Sequence, residues 1–201
     1  LDIETTVRMA FEGPGLFYEV QVTNTTDAPK QVELTFDIPG EKVSTPDGTV
    51  VAYQSNDPTL EIAHAFGDST PHTDGDKPAT LEMVHAFVEM PDAFESDSSV
   101  VAANWKRDLN PGESVKLQLV MAHGRNAGKF PSPVVVALAL DWAKKFGRTW
   151  QDVESRWEKR WNDMFTPGND HFSGHLPILV TTDEKLREIY YRSALTLLIL
   201  H

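Results

Sequence analysis

Residues 149–164 read Thr149-Trp-Gln-Asp-Val-Glu-Ser-Arg-Trp-Glu-Lys-Arg-Trp-Asn-Asp-Met164. Trp150, Val153, Trp157, Trp161 and Met164 fall at spacings of 3, 4, 4 and 3, so they share one face of an α-helix. Thr149 with Asp152 resembles a capping box, which predicts a helix start there, and Pro167-Gly168 ends the run. A second helix is predicted from Thr181-Thr-Asp-Glu184, with Leu186, Ile189, Tyr190, Ala194, Leu197 and Leu198 forming its apolar face. Leu195, Leu197, Leu198, Ile199 and Leu200 crowd its last turns, and no single surface can cover them all. We therefore expect residues 194–201 to be covered by later helices of the same polypeptide or by a second chain. Between the helices, Leu176-Pro-Ile-Leu-Val180 reads as extended.

Upstream the period is two. Leu16, Tyr18, Val20 and Val22 alternate with Phe17, Glu19 and Gln21, and Val32, Leu34, Phe36 and Ile38 alternate with Gln31, Glu33, Thr35 and Asp37. Both runs predict half-buried antiparallel strands. Pro46-Asp-Gly48 marks a turn before a strand at 50–53, and further strands are expected at 59–66, 80–90, 100–105 and 115–121. The last two flank the turn Leu109-Asn-Pro-Gly-Glu113. Many short strands between polar turns predict a mainly β, antiparallel sandwich over residues 1–125. Residues 126–182 then form a helical linker, and 183–201 open a helical body.

Charge divides at the same place. Residues 1–125 carry 21 of the 30 acidic side chains and 8 of the 18 basic ones, a net −13, whereas residues 126–201 are net +1. An acidic sandwich repels phosphate backbones and argues against a nucleic-acid partner. No apolar run approaches the roughly 18 residues needed to span a membrane, so none is expected to. The 40% hydrophobic content is enough for a buried core, and the absence of cysteine excludes disulfides and thiolate metal sites without fixing the compartment. No Gly-rich phosphate loop, Gly-x-Ser-x-Gly elbow or His-Glu-x-x-His motif occurs.

A sandwich closing on 109–121, then Trp157-Glu-Lys-Arg-Trp161, Phe172-Ser-Gly-His-Leu-Pro177 and Leu186-Arg-Glu-Ile-Tyr-Tyr191, resembles in its order the six-hairpin glycosidases. The resemblance implies an N-terminal super-sandwich, a helical linker and, at 183–201, the first helix of an (α/α)6 barrel. It also implies a carbohydrate-active parent, a glycoside hydrolase whose catalytic carboxylates lie beyond residue 201 and which meets its sugar substrate through that barrel. The present chain would brace the barrel, contribute a rim loop and be inactive alone. Hydrolysis needs two carboxyl groups held about 5–9 Å apart, and no Asp or Glu here matches a catalytic motif of that clan.

Several residues invite a functional reading. In Asn169-Asp-His-Phe-Ser-Gly-His175, the side chains of Asp170, His171 and His175 are candidates for sugar contact at a barrel rim. Two histidines four apart would chelate a metal on a helix, but Pro167, Gly168 and Gly174 argue for a loop. Trp105, beside Lys106-Arg-Asp108, is the candidate exposed ring for stacking on a sugar. Asp68, Asp74 and Asp76 offer hard oxygen ligands for calcium in one loop, but their spacing lacks the position-twelve Glu of an EF-hand loop. A solvated loop is therefore the default reading, and no cofactor is expected beyond that calcium option. His64 and His85 occupy similar strand contexts and read as hydrogen-bonded structural groups, and Asn24-Thr-Thr26 matches the glycosylation acceptor pattern but reads as a turn between strands. The rival reading is a non-catalytic β-sandwich for carbohydrate binding or adhesion, with a helical tail that docks on a partner.

Overall fold

The computed structural model describes residues 1–11, 13–55, 80–97, 99–126 and 129–200. The expected strand at 59–66, His64 and the aspartates Asp68, Asp74 and Asp76 lie outside the described residues. The chain divides into two compact units, Leu1–Trp150 and Gln151–His201.

In the first unit the described strands are β1 (Asp2–Met9), β2 (Gly15–Thr23), β3 (Lys30–Pro39), β4 (Glu41–Thr45), β5 (Gly48–Ser55), β6 (Thr80–Phe87), β7 (Ala93–Asp97), β8 (Val100–Leu109) and β9 (Ser114–Asn126). They form a six-stranded sheet in the order β1-β2-β9-β6-β5-β4 and a three-stranded sheet in the order β3-β8-β7, antiparallel throughout. Between the sheets, Ile38, Val51, Phe87, Val101, Ala103, Trp105, Leu117 and Leu119 are buried together, and Val20, Val22, Val32 and Leu109 extend the same core. The antiparallel sandwich is therefore present.

The expectation of half-buried strands needs one correction. Phe17, Val50, Ala52, Val84, Val120 and Ala122 lie on the opposite face of the six-stranded sheet from that core, yet each is buried. Their cover is helix α1 (Pro133–Lys144), an element the period-two and period-four readings both passed over. Its buried side is Val135, Val136, Ala139, Trp142 and Ala143. Phe17 meets the Trp142 ring at 5.1 Å and Phe146 at 5.8 Å. The sheet is glycine-poor except where the helix comes closest. A Cβ on Gly15 would lie 2.3 Å from the Met121 carbonyl oxygen and 2.5 Å from the Trp142 ring, and one on Gly124 would lie 2.7 Å from Val135.

Two buried polar groups tie this architecture together. Glu82 is fully buried on β6, and both its oxygens accept from the Ser132 backbone N–H at the α1 N-terminus, at 3.2 and 3.0 Å. The helix dipole favours a carboxylate there, and Pro133 removes one donor that would otherwise need a partner. Asn24, also fully buried, joins the β2–β3 corner to the β8–β9 turn. Its Nδ2 donates to the carbonyls of Ala28 at 2.9 Å and Leu109 at 3.0 Å, and its Oδ1 accepts from the Thr26 N–H and hydroxyl. A glycan on Nδ2 would displace these bonds, so the turn reading of this tripeptide stands.

Helix α2 (Phe146–Met164) begins earlier than the capping-box reading places it: Thr149 is already inside, with its N–H donating to the Lys145 carbonyl at 3.0 Å. Helix α3 (Glu184–Leu200) is capped by Asp183, whose Oδ1 accepts from the Leu186 N–H at 3.1 Å, while Thr181 supports the cap through its hydroxyl. Residues 176–180 carry no regular secondary structure.

Candidate functional site

The residues that bear on function gather in the second unit. After α2 the chain leaves the helix by bonds from Phe165 N–H to Asn162 and from Thr166 N–H to Asp163, and Gly168 takes the left-handed conformation at φ 66°. Asn169 then closes the loop. Its Nδ2 donates to the carbonyls of Thr166 and Gly174, both at 3.0 Å, and its Oδ1 accepts from the N–H groups of His171 and Phe172. Phe172 and Leu176 fold inward onto Met164, Ala194 and Leu198, alongside Trp157, Trp161 and Phe165. That leaves Asp170, His171 and His175 on the outside of a loop whose backbone is fixed.

His171 is tethered: its Nδ1 pairs with the Asp163 carboxylate, which also accepts from Lys159 Nζ at 2.7 Å. The Lys159 hydrogen bond, and after it the contact with His171, holds the Asp163 carboxyl below its ordinary range. Among the described residues no group of three or more His, Asp or Glu side chains converges as a metal site would require.

The same unit carries a shallow cleft of about 580 Å³, lined by Trp161, Glu184, Arg187, Glu188, Tyr191, Arg192 and Leu195. Trp161 and Tyr191 lie 5.9 Å apart at 46°, and Tyr190 is fixed by donating to the Pro177 carbonyl. Along the rim Arg192 pairs with Glu188 at 2.7 Å and Arg187 with Glu184 at 4.0 Å. Aromatic surface edged by guanidinium and carboxylate groups suits a polyhydroxylated ring or an amphipathic helix. Its two carboxylates are turned to solvent, with the Glu188 and Glu184 side chains 56% and 88% exposed. In the sequence Glu184 reads as part of a helix start and Arg187 and Glu188 as part of the family resemblance, and nothing there marks them as lining a cleft.

On α3 the crowded apolar turns are handled unevenly. Ala194 and Leu198 are buried at 2% and 6%, whereas Leu186, Ile189, Leu195 and Leu197 are 46–63% exposed. The side chains of Ile199 and Leu200 lie outside the described residues.

Trp105 is corrected outright. It is 1% exposed, with its ring edge-on to Phe36 at 5.7 Å and 5.7 Å from Phe87, and its Nε1 donates to the Glu89 carbonyl. A ring in the middle of the sandwich cannot stack on a sugar. The basic cluster that suggested exposure is satisfied on its own: Arg107 bridges Glu89 and Asp92, and Asp92 also accepts from the Lys106 N–H at 2.7 Å.

No family model matches the chain, and no curated protein does. Among solved structures, the fold is similar to one described as "Putative kojibiose phosphorylase from human microbiome", with a TM-score of 0.55 at 9% identity. The likeness covers 84% of this chain and 23% of that one, so the present chain spans under a quarter of the neighbour's length.

Proposed function

We propose that this chain is the amino-terminal, non-catalytic part of a carbohydrate-active enzyme of the six-hairpin glycosidase type. The fold likeness carries the reading: it extends over most of this chain and a minor share of a much longer protein whose name is that of a disaccharide phosphorylase. The exposed row Leu186, Ile189 and Leu197 supports it, since such a row on a helix is suited to packing against further helices. In this reading the sandwich braces an (α/α)6 barrel that begins with α3, and the remainder of the same polypeptide covers that row. The loop bearing Asp170, His171 and His175 lies at the rim and reaches sugar hydroxyls. The bond attacked is glycosidic, and the parent performs either hydrolysis or phosphorolysis according to whether water or phosphate is the nucleophile.

The test compares the 201-residue chain with the full product of its reading frame. Aryl glycosides and α-linked glucose disaccharides would be supplied with and without inorganic phosphate. The proposal expects turnover from the full product and none from this chain. Turnover by the chain alone, abolished by one Asp or Glu substitution, would overturn the non-catalytic role. A full product that neither cleaves nor binds any glycoside would overturn the carbohydrate assignment. The adhesion-module alternative predicts sugar binding by the sandwich itself, and the burial of Trp105 has removed its candidate ring.

A further inference from the structure

The six-stranded sheet carries a second cluster on its core-side face, past the end of the core. On β6 and β9 the buried core ends at Phe87 and Leu119. Two residues further along each strand stand His85 and Met121, and two beyond those stand Met83 and His123, paired as His85↔Met121 and Met83↔His123. All four share the parity of Phe87 and Leu119, so they project from the same face, away from α1. Each is half-buried.

The ladder brings these side chains close. Val88 N–H donates to the Gln118 carbonyl at 3.0 Å, which makes Val88–Gln118 a hydrogen-bonded pair. Pair types alternate along an antiparallel ladder, so His85–Met121 and Met83–His123 are both non-hydrogen-bonded pairs, with Cα atoms about 4.5 Å apart and side chains at their closest. Along each strand the two rows stand roughly 6–7 Å apart. The result is a checkerboard in which each thioether has one imidazole across the ladder and another beside it. His85 is already arranged as a ligand. Burial lowers its pKa to about 4 and keeps the ring neutral, while a hydrogen bond with the Val51 backbone opposes that shift. A contact that favours the protonated ring is a donation to the carbonyl. It leaves Nδ1, buried and with no partner among the described residues, holding the lone pair. Ligating histidines are commonly fixed in this way through their other nitrogen. His123 needs only one of its two ring nitrogens for the same purpose.

We propose that Met83, His85, Met121 and His123 form a binding site for a soft monovalent cation of the cuprous type. Thioether sulfur selects Cu(I), and imidazole binds copper as well. Among the described residues calcium or zinc finds no group of three His, Asp or Glu side chains to hold it. Cu(I) needs none, because two of the four donors are sulfur. The chain holds no cysteine, so any soft site in it rests on methionine. Because the His85 ring is neutral at pH 7, the cation displaces no proton from it. The site lies within the sandwich unit and does not depend on the proposed enzymatic parentage.

Anaerobic titration of the 201-residue chain with Cu(I), in competition with a colorimetric chelator, tests this. One equivalent per chain is expected, together with a higher Tm. Met83→Leu and Met121→Leu keep the side-chain volume, so circular dichroism and Tm of the metal-free chain should change little. Each should weaken Cu(I) binding by roughly tenfold or more, and the double variant should lose the sulfur contribution to the copper X-ray absorption spectrum. Met90→Leu on the surface and His175→Gln in the second unit should leave the affinity unchanged. Three results overturn the proposal: no binding at one equivalent, equal binding after the double Met→Leu substitution, or displacement of Cu(I) by an equal concentration of Zn(II). Any of them would leave the four side chains as packing at the end of the sheet.

Discussion

Replacing Asn24 by alanine should cost the first unit about 3–4 kcal/mol, an unusually large loss for a residue of a β-turn. The magnitude follows from its surroundings. Four hydrogen bonds end on the side chain: two donated, to Ala28 and Leu109, and two accepted, both from Thr26. Each such bond contributes about 0.5–1.5 kcal/mol net. The Leu109 carbonyl lies in a buried contact, so its loss adds part of the roughly 1–3 kcal/mol of an unsatisfied buried acceptor. The other three bonds are partly solvated, and water entering the corner offsets some of their loss. Asn24→Asp sharpens the test because the shape is kept: a carboxylate oxygen then faces two carbonyl oxygens at hydrogen-bond distance, and the loss should equal or exceed that of alanine. Urea unfolding followed by tryptophan fluorescence measures both, with the midpoint shifted and the slope unchanged. A loss below about 1 kcal/mol for either variant, against the ordinary scale for surface substitutions, would refute the assignment of Asn24 as the link between the two turns.

Acid should weaken the fold before its carboxylates titrate. Burial lowers the His85 pKa from 6.5 to about 4, against a hydrogen bond with the Val51 backbone that opposes the shift, and its buried Nδ1 meets no partner among the described residues. Because the folded value is the lower one, the unfolded chain binds the extra proton between these limits. Stability is full above about pH 6.5 and falls by about 2–3 kcal/mol as pH drops through 4, and His85→Gln should flatten urea midpoints across that window. Glu82→Gln replaces one of the two oxygens that accept from the Ser132 N–H with an amide nitrogen and should cost about 1–3 kcal/mol, read as lower Tm and faster hydrogen exchange in residues 80–87 and 133–144. Trp105→Ala should lose about 3–5 kcal/mol of stability, and the milder Trp105→Phe should leave any glycan affinity measured by calorimetry unchanged. Leu198→Ala should destabilise the second unit by about 2–4 kcal/mol while Leu197→Ala changes this chain by under about 0.5, a contrast thermal unfolding resolves.

The sandwich was legible wherever one strand face was polar. Gln31, Glu33, Thr35 and Asp37 set off the inward row of β3, and the Leu109–Glu113 turn announces the β8–β9 hairpin, with Gly112 at φ 76°. Legibility failed where a second layer covers the sheet. Phe17 and Val120 break the alternation because α1 lies across them, and α1 itself, Pro-Val-Val-Val-Ala-Leu-Ala-Leu-Asp-Trp-Ala-Lys, is too uniformly apolar at its start to show a period. Its start signal was nevertheless present in Ser132-Pro133. β4 and β7 are short edge strands with little pattern to read. Trp105 was misread against its own parity: Val101, Ala103 and Leu109 are odd-numbered inward residues of the same strand, and Trp105 belongs with them. The neighbouring charges misled because Arg107, also odd-numbered, is paired with Glu89 and Asp92.

The second unit was legible as helices and not as a site, for a reason that lies in α3. At 100° per residue, Leu186, Ile189 and Leu197 cluster along one line of the helix, while Ala194 and Leu198 fall roughly a third of a turn away. A sequence reading adds these rows into one broad apolar face. The structure separates them: the second row is buried with Met164, and the first meets water. Burial of a Leu or Ile side chain is worth about 1.5–3 kcal/mol, so the exposed row leaves several kcal/mol unrealised in this chain. A helix with two apolar lines at that separation is suited to lie between two layers, and the described residues supply one of them. The cleft along Trp161 and Tyr191 borders the same helix with exposed, mutually paired charges. Its chemistry therefore depends on what covers the first row. In the proposed parent that cover is the barrel, which would desolvate the rim where Asp170 and His175 now stand in water. The loop's backbone is fixed by Asn169, His171 by Asp163 and Phe172 by the core, which leaves the Asp170 and His175 side chains exposed for that contact.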